Sequence, residues 1–184
     1  MASLSPVRLI LVRHPPVARV WSGRCYGQSD PGLSRAGRAM IAPLVDQLAA
    51  LKPQAVIHSD LTRTKAIALP LAEKLGIPAI ADPLWRERDF GTWEGRAWTA
   101  IYRETGDAMD GMIDNPDHFQ PGGGETTAAL ARRVGQALAN LPAARPVAII
   151  THGGPIASAR ALQASIERRH LASLIPATGS ITLL

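Results

Sequence analysis

Short apolar runs alternate with longer helical patterns along the chain, and this alternation restricts the possible folds more than any other feature. The runs at 7–12 (VRLILV), 55–58 (AVIH), 79–81 (AIA), 147–150 (VAII) and 180–184 (SITLL) are strand-length and bounded by turn residues. The first and fourth are almost continuously apolar, as strands covered on both faces should be. Helical patterns begin near Ser34, Thr62, Trp98, Thr126 and Pro155. Pro43 and Pro70 fall inside the first two and predict a kink or a shortening there. Gly76 after AEKL predicts a helix C-cap. Strands alternating with helices predict a parallel α/β sheet.

The chain has 184 residues, enough for one domain over 1–184 with a proper core. Apolar residues make up 46% and charged residues 19%, an ordinary globular balance. No run approaches a membrane span, and the N-terminal MASLSPVRLI has no secretory pattern. Cys25 is the single cysteine, so neither an internal disulfide nor a cysteine metal cluster is expected. A reducing cytoplasm is the expected compartment. The net charge is +5, and all but three of the twenty basic residues are arginines. With aromatic residues at only 4%, that charge fits a cleft for a small phosphorylated anion better than a nucleic-acid surface.

Three strands end in chemistry. The first delivers Arg13 and His14; the second delivers His58, Ser59 and Asp60, with Arg63 on the following helix turn. The fourth delivers Thr151 and His152, followed by Gly153 and Gly154, which permit close approach of a ligand. In open parallel sheets ligands bind outside the carboxyl ends of the strands, so these side chains should converge. Arginine forks match phosphate oxygens, and a neutral imidazole beside them is a competent nucleophile toward phosphorus. The second histidine, if protonated, would donate to the phosphoryl oxygens. A carboxylic acid must protonate the leaving oxygen, and LWRERDFGTWEG offers Glu87, Asp89 and Glu94. The five histidines have no metal-ligand spacing, so no metal and no cofactor is expected. Gly122–Gly124 with Glu125 lack the Gly-Lys-Ser/Thr of a nucleotide loop, and the stretch serves equally as a turn into the next helix.

These motifs resemble those of the histidine phosphatase superfamily, which includes phosphoglycerate mutases and many small phosphatases. LVRHP is similar to its Leu-x-Arg-His-Gly signature, HSDLTRTKAIA to its second motif, ERDFGTWEG to Glu-x-x-Phe/Tyr-Gly-x-x-x-Gly. PGGGET and ITHGG match the remaining two, in order. The resemblance implies a three-layer α/β/α sandwich with a mostly parallel sheet. It implies His14 as the phosphorylated residue, with Arg13, Arg63 and His152 in the phosphate pocket beside Gly153. Glu87, four residues before Gly91, matches the proton donor; Asp89 and Glu94 do not hold that position. Two departures stand out. Pro15 replaces a glycine and removes a backbone N–H, and Val20 stands where Asn is frequent. GRCYGQSDPGLSRAG looks most like the α-ribazole phosphatase branch.

The expected activity is therefore metal-independent hydrolysis of a small phosphorylated metabolite, with α-ribazole 5′-phosphate as one candidate, by a monomer or homodimer. A mutase-type phosphotransferase and a non-catalytic phosphate binder are the alternatives.

Overall fold

The computed structural model describes residues 8–184, so Val7 of the first expected strand lies outside the described residues. Five strands form one sheet in the order β3-β2-β4-β1-β5: β1 (Leu9–Arg13), β2 (Ala55–His58), β3 (Ala79–Ala81), β4 (Val147–Thr151) and β5 (Ile181–Leu183). The first four are mutually parallel, whereas β5 runs antiparallel to β1. The sequence located β5 but carried no sign of its direction.

Alternate residues of the central strands face opposite ways. Ile10, Val12, Val56, Ala148 and Ile150 pack against α2 (Ile41–Ala50) and α3 (Thr62–Leu75). Leu11, Ile57, Val147 and Ile149 pack against α6 (Thr127–Ala139) and α7 (Gly153–Ala164). Three layers result, with a core on each face of the sheet.

Local chemistry sets the helix ends. The Ser34 hydroxyl accepts from Gly37 N (2.9 Å) to start α1 (Arg35–Ala39), and Thr126 Oγ1 accepts from Ala129 N (3.0 Å) to start α6. Such caps contribute about 1 kcal/mol each. The chain breaks at Met40 between α1 and α2, which places Pro43 in the first turn of α2, where no amide hydrogen is needed. Pro70 does not shorten α3, which continues to Leu75 and ends on Gly76 in the left-handed conformation (φ 67°). Gly153 rather than Pro155 opens α7, so the proline lies in its first turn. A short α4 (Trp98–Thr105) and a single turn, α5 (Gly111–Asp114), lie between β3 and α6. No helix among the described residues is long and apolar enough to cross a membrane.

Candidate active site

The sheet order brings three strand ends together. Central β4 lies between β1 and β2, with Arg13 paired to Thr151; His14 N donates to Thr151 O (3.0 Å) and Ser59 N to Ile150 O (3.0 Å). His14, Arg63 and His152 are almost wholly enclosed, at 1%, 0% and 0% exposure. The imidazoles of His14 and His152 stand edge to face with centroids 5.1 Å apart.

The protonated nitrogen of each ring follows from its partner. His14 Nδ1 lies 2.8 Å from Pro15 O, and because a carbonyl only accepts, Nδ1 carries the proton and Nε2 keeps its lone pair. Burial, reinforced by the nearby Arg63 and Arg13 charges, pushes His14 down to about 3, although the Pro15 carbonyl opposes the shift. His14 is thus a neutral imidazole at every physiological pH.

His152 is oriented the other way. Arg63 Nε donates to its Nδ1 (3.3 Å), so the proton sits on Nε2, which donates to Ser59 Oγ (2.9 Å). Burial first, then Arg63, His14 and Arg13, hold its pKa well below the usual histidine range. The sequence left the charge of the second histidine open; here His152 is neutral and donates through Nε2–H. Ser59, noted in the sequence only as part of a strand end, sets that orientation. His58 belongs to the scaffold, with Nδ1 donating to Ser59 O (2.6 Å).

Arg63 binds protein on each nitrogen. Besides His152, Nη1 donates to Ser29 O and Nη2 to Gly27 O, both at 2.6 Å. The Tyr26 ring lies 5.3 Å from its Cζ. The predicted two-pronged grip on phosphate is thus directed, in this state, at the carbonyls of the 27–29 loop. Each Nη keeps a second N–H. Arg13 Nη1 donates to Pro176 O (2.5 Å), while its enclosed Nε has no partner among the described residues. Gly153 lies against this guanidinium, since a Cβ there would come within 3.2 Å of Arg13 Cζ.

The three acids separate cleanly. Glu87 sits at the N-terminus of α7, where its carboxylate accepts from Gly154 N (3.1 and 3.3 Å) and from Arg88 N (2.9 Å). Asp89 is exposed and caps its own turn through Gly91 N (2.7 Å). Glu94 is half-buried rather than solvated. It accepts from Gln28 N (2.8 Å), Ser29 N and Ser29 Oγ (both 2.7 Å) and Phe90 N (3.2 Å), and so braces the loop whose carbonyls hold Arg63.

The glycine-rich stretch supports this loop. Gly91 (φ 53°) and Gly122 (φ 60°) meet backbone to backbone, and a Cβ on Gly91 would fall 2.2 Å from Gly122 O. Glu125 pairs with Arg133, which in turn donates to the carbonyls of Leu84, Arg86 and Glu87. Residues 122–125 thus set the position of Glu87 from behind. Pro15 contributes its carbonyl to His14, whereas Val20 is 70% exposed and offers the pocket no side-chain contact.

A cavity of about 460 Å³ is lined at its inner end by Arg13, Glu87, Gly153 and Gly154. Its outer wall comes from 98–113 and 168–175, segments in which the sequence showed no functional signal. Among the described residues no cluster of three or more His, Cys, Asp or Glu is placed to hold a metal ion.

Comparison with known proteins identifies the family. The family model described as the histidine phosphatase superfamily (branch 1) matches residues 9–184. The glucosyl-3-phosphoglycerate phosphatase of Mycobacterium tuberculosis is 29% identical over 185 residues, covering 95% of this chain and 81% of its own. The metal-independent phosphoserine phosphatase of Arabidopsis thaliana is 30% identical over 79% of this chain and 64% of its own. The structure of a mycobacterial glucosyl-3-phosphoglycerate phosphatase complexed with VO3 superposes with a TM-score of 0.84 at 27% identity, covering 96% of this chain and 90% of that one. The α-ribazole phosphatase of Shigella flexneri superposes with the same TM-score at 22% identity over 96% and 89%, a likeness of fold. With the family model covering the sheet, both cores and all five motifs, the chain belongs to the histidine phosphatase superfamily.

Proposed function

We propose that this protein is a metal-independent phosphomonoesterase that hydrolyses a small phosphorylated metabolite through a phosphohistidine on His14. The observation that carries the reading is the state of His14: a neutral ring, its proton fixed on Nδ1 by Pro15 O, with the Nε2 lone pair free beside two guanidinium groups. His14 Nε2 attacks phosphorus as the bond to the leaving oxygen breaks. Arg13, Arg63 and, once it leaves Ser59 Oγ, the Nε2–H of His152 donate to the phosphoryl oxygens, where charge accumulates. Glu87, in its protonated form, delivers its proton to the leaving alkoxide. The resulting carboxylate takes a proton from water, which attacks the phosphohistidine, releases inorganic phosphate and restores His14.

The substrate is drawn from small phosphate esters. The Cys25-Tyr26-Gly27 segment suggests α-ribazole 5′-phosphate, whereas the relatives near 30% identity are named for glucosyl-3-phosphoglycerate and phosphoserine. A panel of these esters, assayed with EDTA present, tests the reading together with rapid acid quench of labelled substrate. The expected result is turnover that survives chelation and an acid-labile, base-stable adduct absent from His14→Ala. Undiminished turnover by His14→Ala would refute it.

A further inference from the structure

Arg63 stands in the first turn of α3, and that turn begins without a cap of its own. Leu61 occupies the cap position, where an apolar side chain cannot accept from the free amides of the turn. The acceptor comes instead from 32 residues earlier. Asp30 Oδ1 accepts from Thr62 N (2.8 Å), and Oδ2 accepts from Thr62 Oγ1 (2.6 Å). The same carboxylate lies 3.8 Å from Arg63 Nη1.

The turn capped in this way carries two parts of the phosphate pocket. Besides Arg63 itself, Thr64 Oγ1 donates to Ser59 O (2.6 Å), which ties α3 to the residue holding His152 Nε2. Gly27 O and Ser29 O hold the Arg63 guanidinium, while Glu94 holds the amides of Gln28 and Ser29. Segment 27–30 thus grips Arg63 at both ends, the side chain through two carbonyls and the backbone through the cap on neighbouring Thr62. Misplacing a binding group by about 1 Å can cost on the order of 10²-fold in rate.

We propose that Asp30 is a positioning residue for phosphate binding: by capping α3 from the 27–30 loop, it fixes the direction of the Arg63 guanidinium. The proposal rests on the phosphatase reading above only in naming phosphate as the anion. The acceptor rather than the charge is what matters. The Asp30 side chain is 40% exposed, so solvent screens its attraction to Arg63. Asparagine caps as well as aspartate, and the Thr62 hydroxyl can accept from an amide as readily as it donates to a carboxylate.

Calorimetric titration with inorganic phosphate tests this without turnover. Asp30→Ala should weaken binding about tenfold, whereas Asp30→Asn should stay within about twofold of wild type. In an Arg63→Ala background, Asp30→Ala should add no further loss, because Asp30 acts through Arg63. The kcat/KM for p-nitrophenyl phosphate should follow the same cycle, and carries it where phosphate binds too weakly to titrate. Unchanged phosphate affinity in Asp30→Ala, an equal loss with and without Arg63, or an asparagine variant as weak as the alanine one would overturn the proposal. Should Asp30→Ala not fold, Thr62→Val, which deletes the hydroxyl bond to Asp30, is taken through the same cycle with Arg63→Ala. A wild-type protein that binds phosphate yet hydrolyses no ester would strike the phosphatase reading, and phosphate binding would still decide the role of Asp30.

Discussion

Arg63 donates its Nε–H to Nδ1 of His152 across 3.3 Å, and this contact places the histidine's proton on Nε2, 2.9 Å from Ser59 Oγ. The same guanidinium holds Gly27 O and Ser29 O. Arg63 therefore orients a donor and anchors a loop while supplying charge.

Lysine can supply the charge but has neither the Nε–H geometry nor a planar fork. Arg63→Lys should consequently be nearly as damaging as Arg63→Ala, with kcat down on the order of 10²-fold or more. Steady-state kinetics of both variants check this, and wild-type-like kinetics for the lysine variant would refute it.

Acid should weaken the fold through the neutral histidines. Folded His14 takes up its proton only near about 3, whereas an unfolded histidine does so near 6.5. Between these values the unfolded chain binds more protons, so stability is fully present above 6.5 and falls as pH drops, by up to about 1.4 kcal/mol per pH unit for one such group. His152 acts in the same direction. Urea unfolding at pH 7.5 and 5.5 should show the loss, and His14→Gln should reduce the pH dependence. A pH-independent midpoint would contradict the buried neutral ring.

Glu87→Gln should separate substrates by leaving group. An alkyl phosphate leaves as a poor alkoxide and requires the proton, whereas p-nitrophenolate leaves readily. Alkyl ester hydrolysis should fall about 10²-fold or more while much p-nitrophenyl activity survives. Equal losses would mean that Glu87 positions phosphate or supports the loop.

Gly154→Ala provides a steric counterpart. A Cβ there would lie 2.4 Å from Glu87 Oε1, so the carboxylate must swing away from its amide anchor. The variant should reproduce the leaving-group selectivity of Glu87→Gln with little change in melting temperature. Unaltered alkyl phosphate turnover would show that the acid acts from elsewhere.

Glu94→Gln should act on stability first. The carboxylate gathers donors from Gln28, Ser29 and Phe90, and weakening charge-assisted bonds of this kind costs about 1–3 kcal/mol. Thermal unfolding should register the loss, and an unchanged transition would remove Glu94 as the brace of the loop.

The strands and the residues at their ends were legible because both depend on local signals: β-branched apolar runs, and titratable groups placed where a run stops. Glu87 could be preferred over Asp89 and Glu94 from motif position, and the structure separates the three by their partners: Glu87 accepts from Gly154 and Arg88, Asp89 caps its own turn, and Glu94 holds the 28–29 loop. Less accessible was everything set by distant packing. The direction of β5 depends on its pairing with β1, which is separated from it by most of the chain. The proton of His152 is fixed by Arg63 and Ser59, neither near it in sequence. The outer cavity wall combines segments whose individual patterns, an arginine beside an acid and scattered methionines, are common on solvated helices.

The last strand has a consequence for truncation. Gly179 N donates to Arg13 O (3.0 Å) and His14 O (3.1 Å), and Pro176 O receives the Arg13 guanidinium. The strand end that carries His14, the proposed nucleophile, is thus tied down by residues far from it in sequence. Removal of 176–184 would leave every proposed reacting group in place and take away the partners that hold Arg13 in register, so activity should be lost without touching a reacting atom.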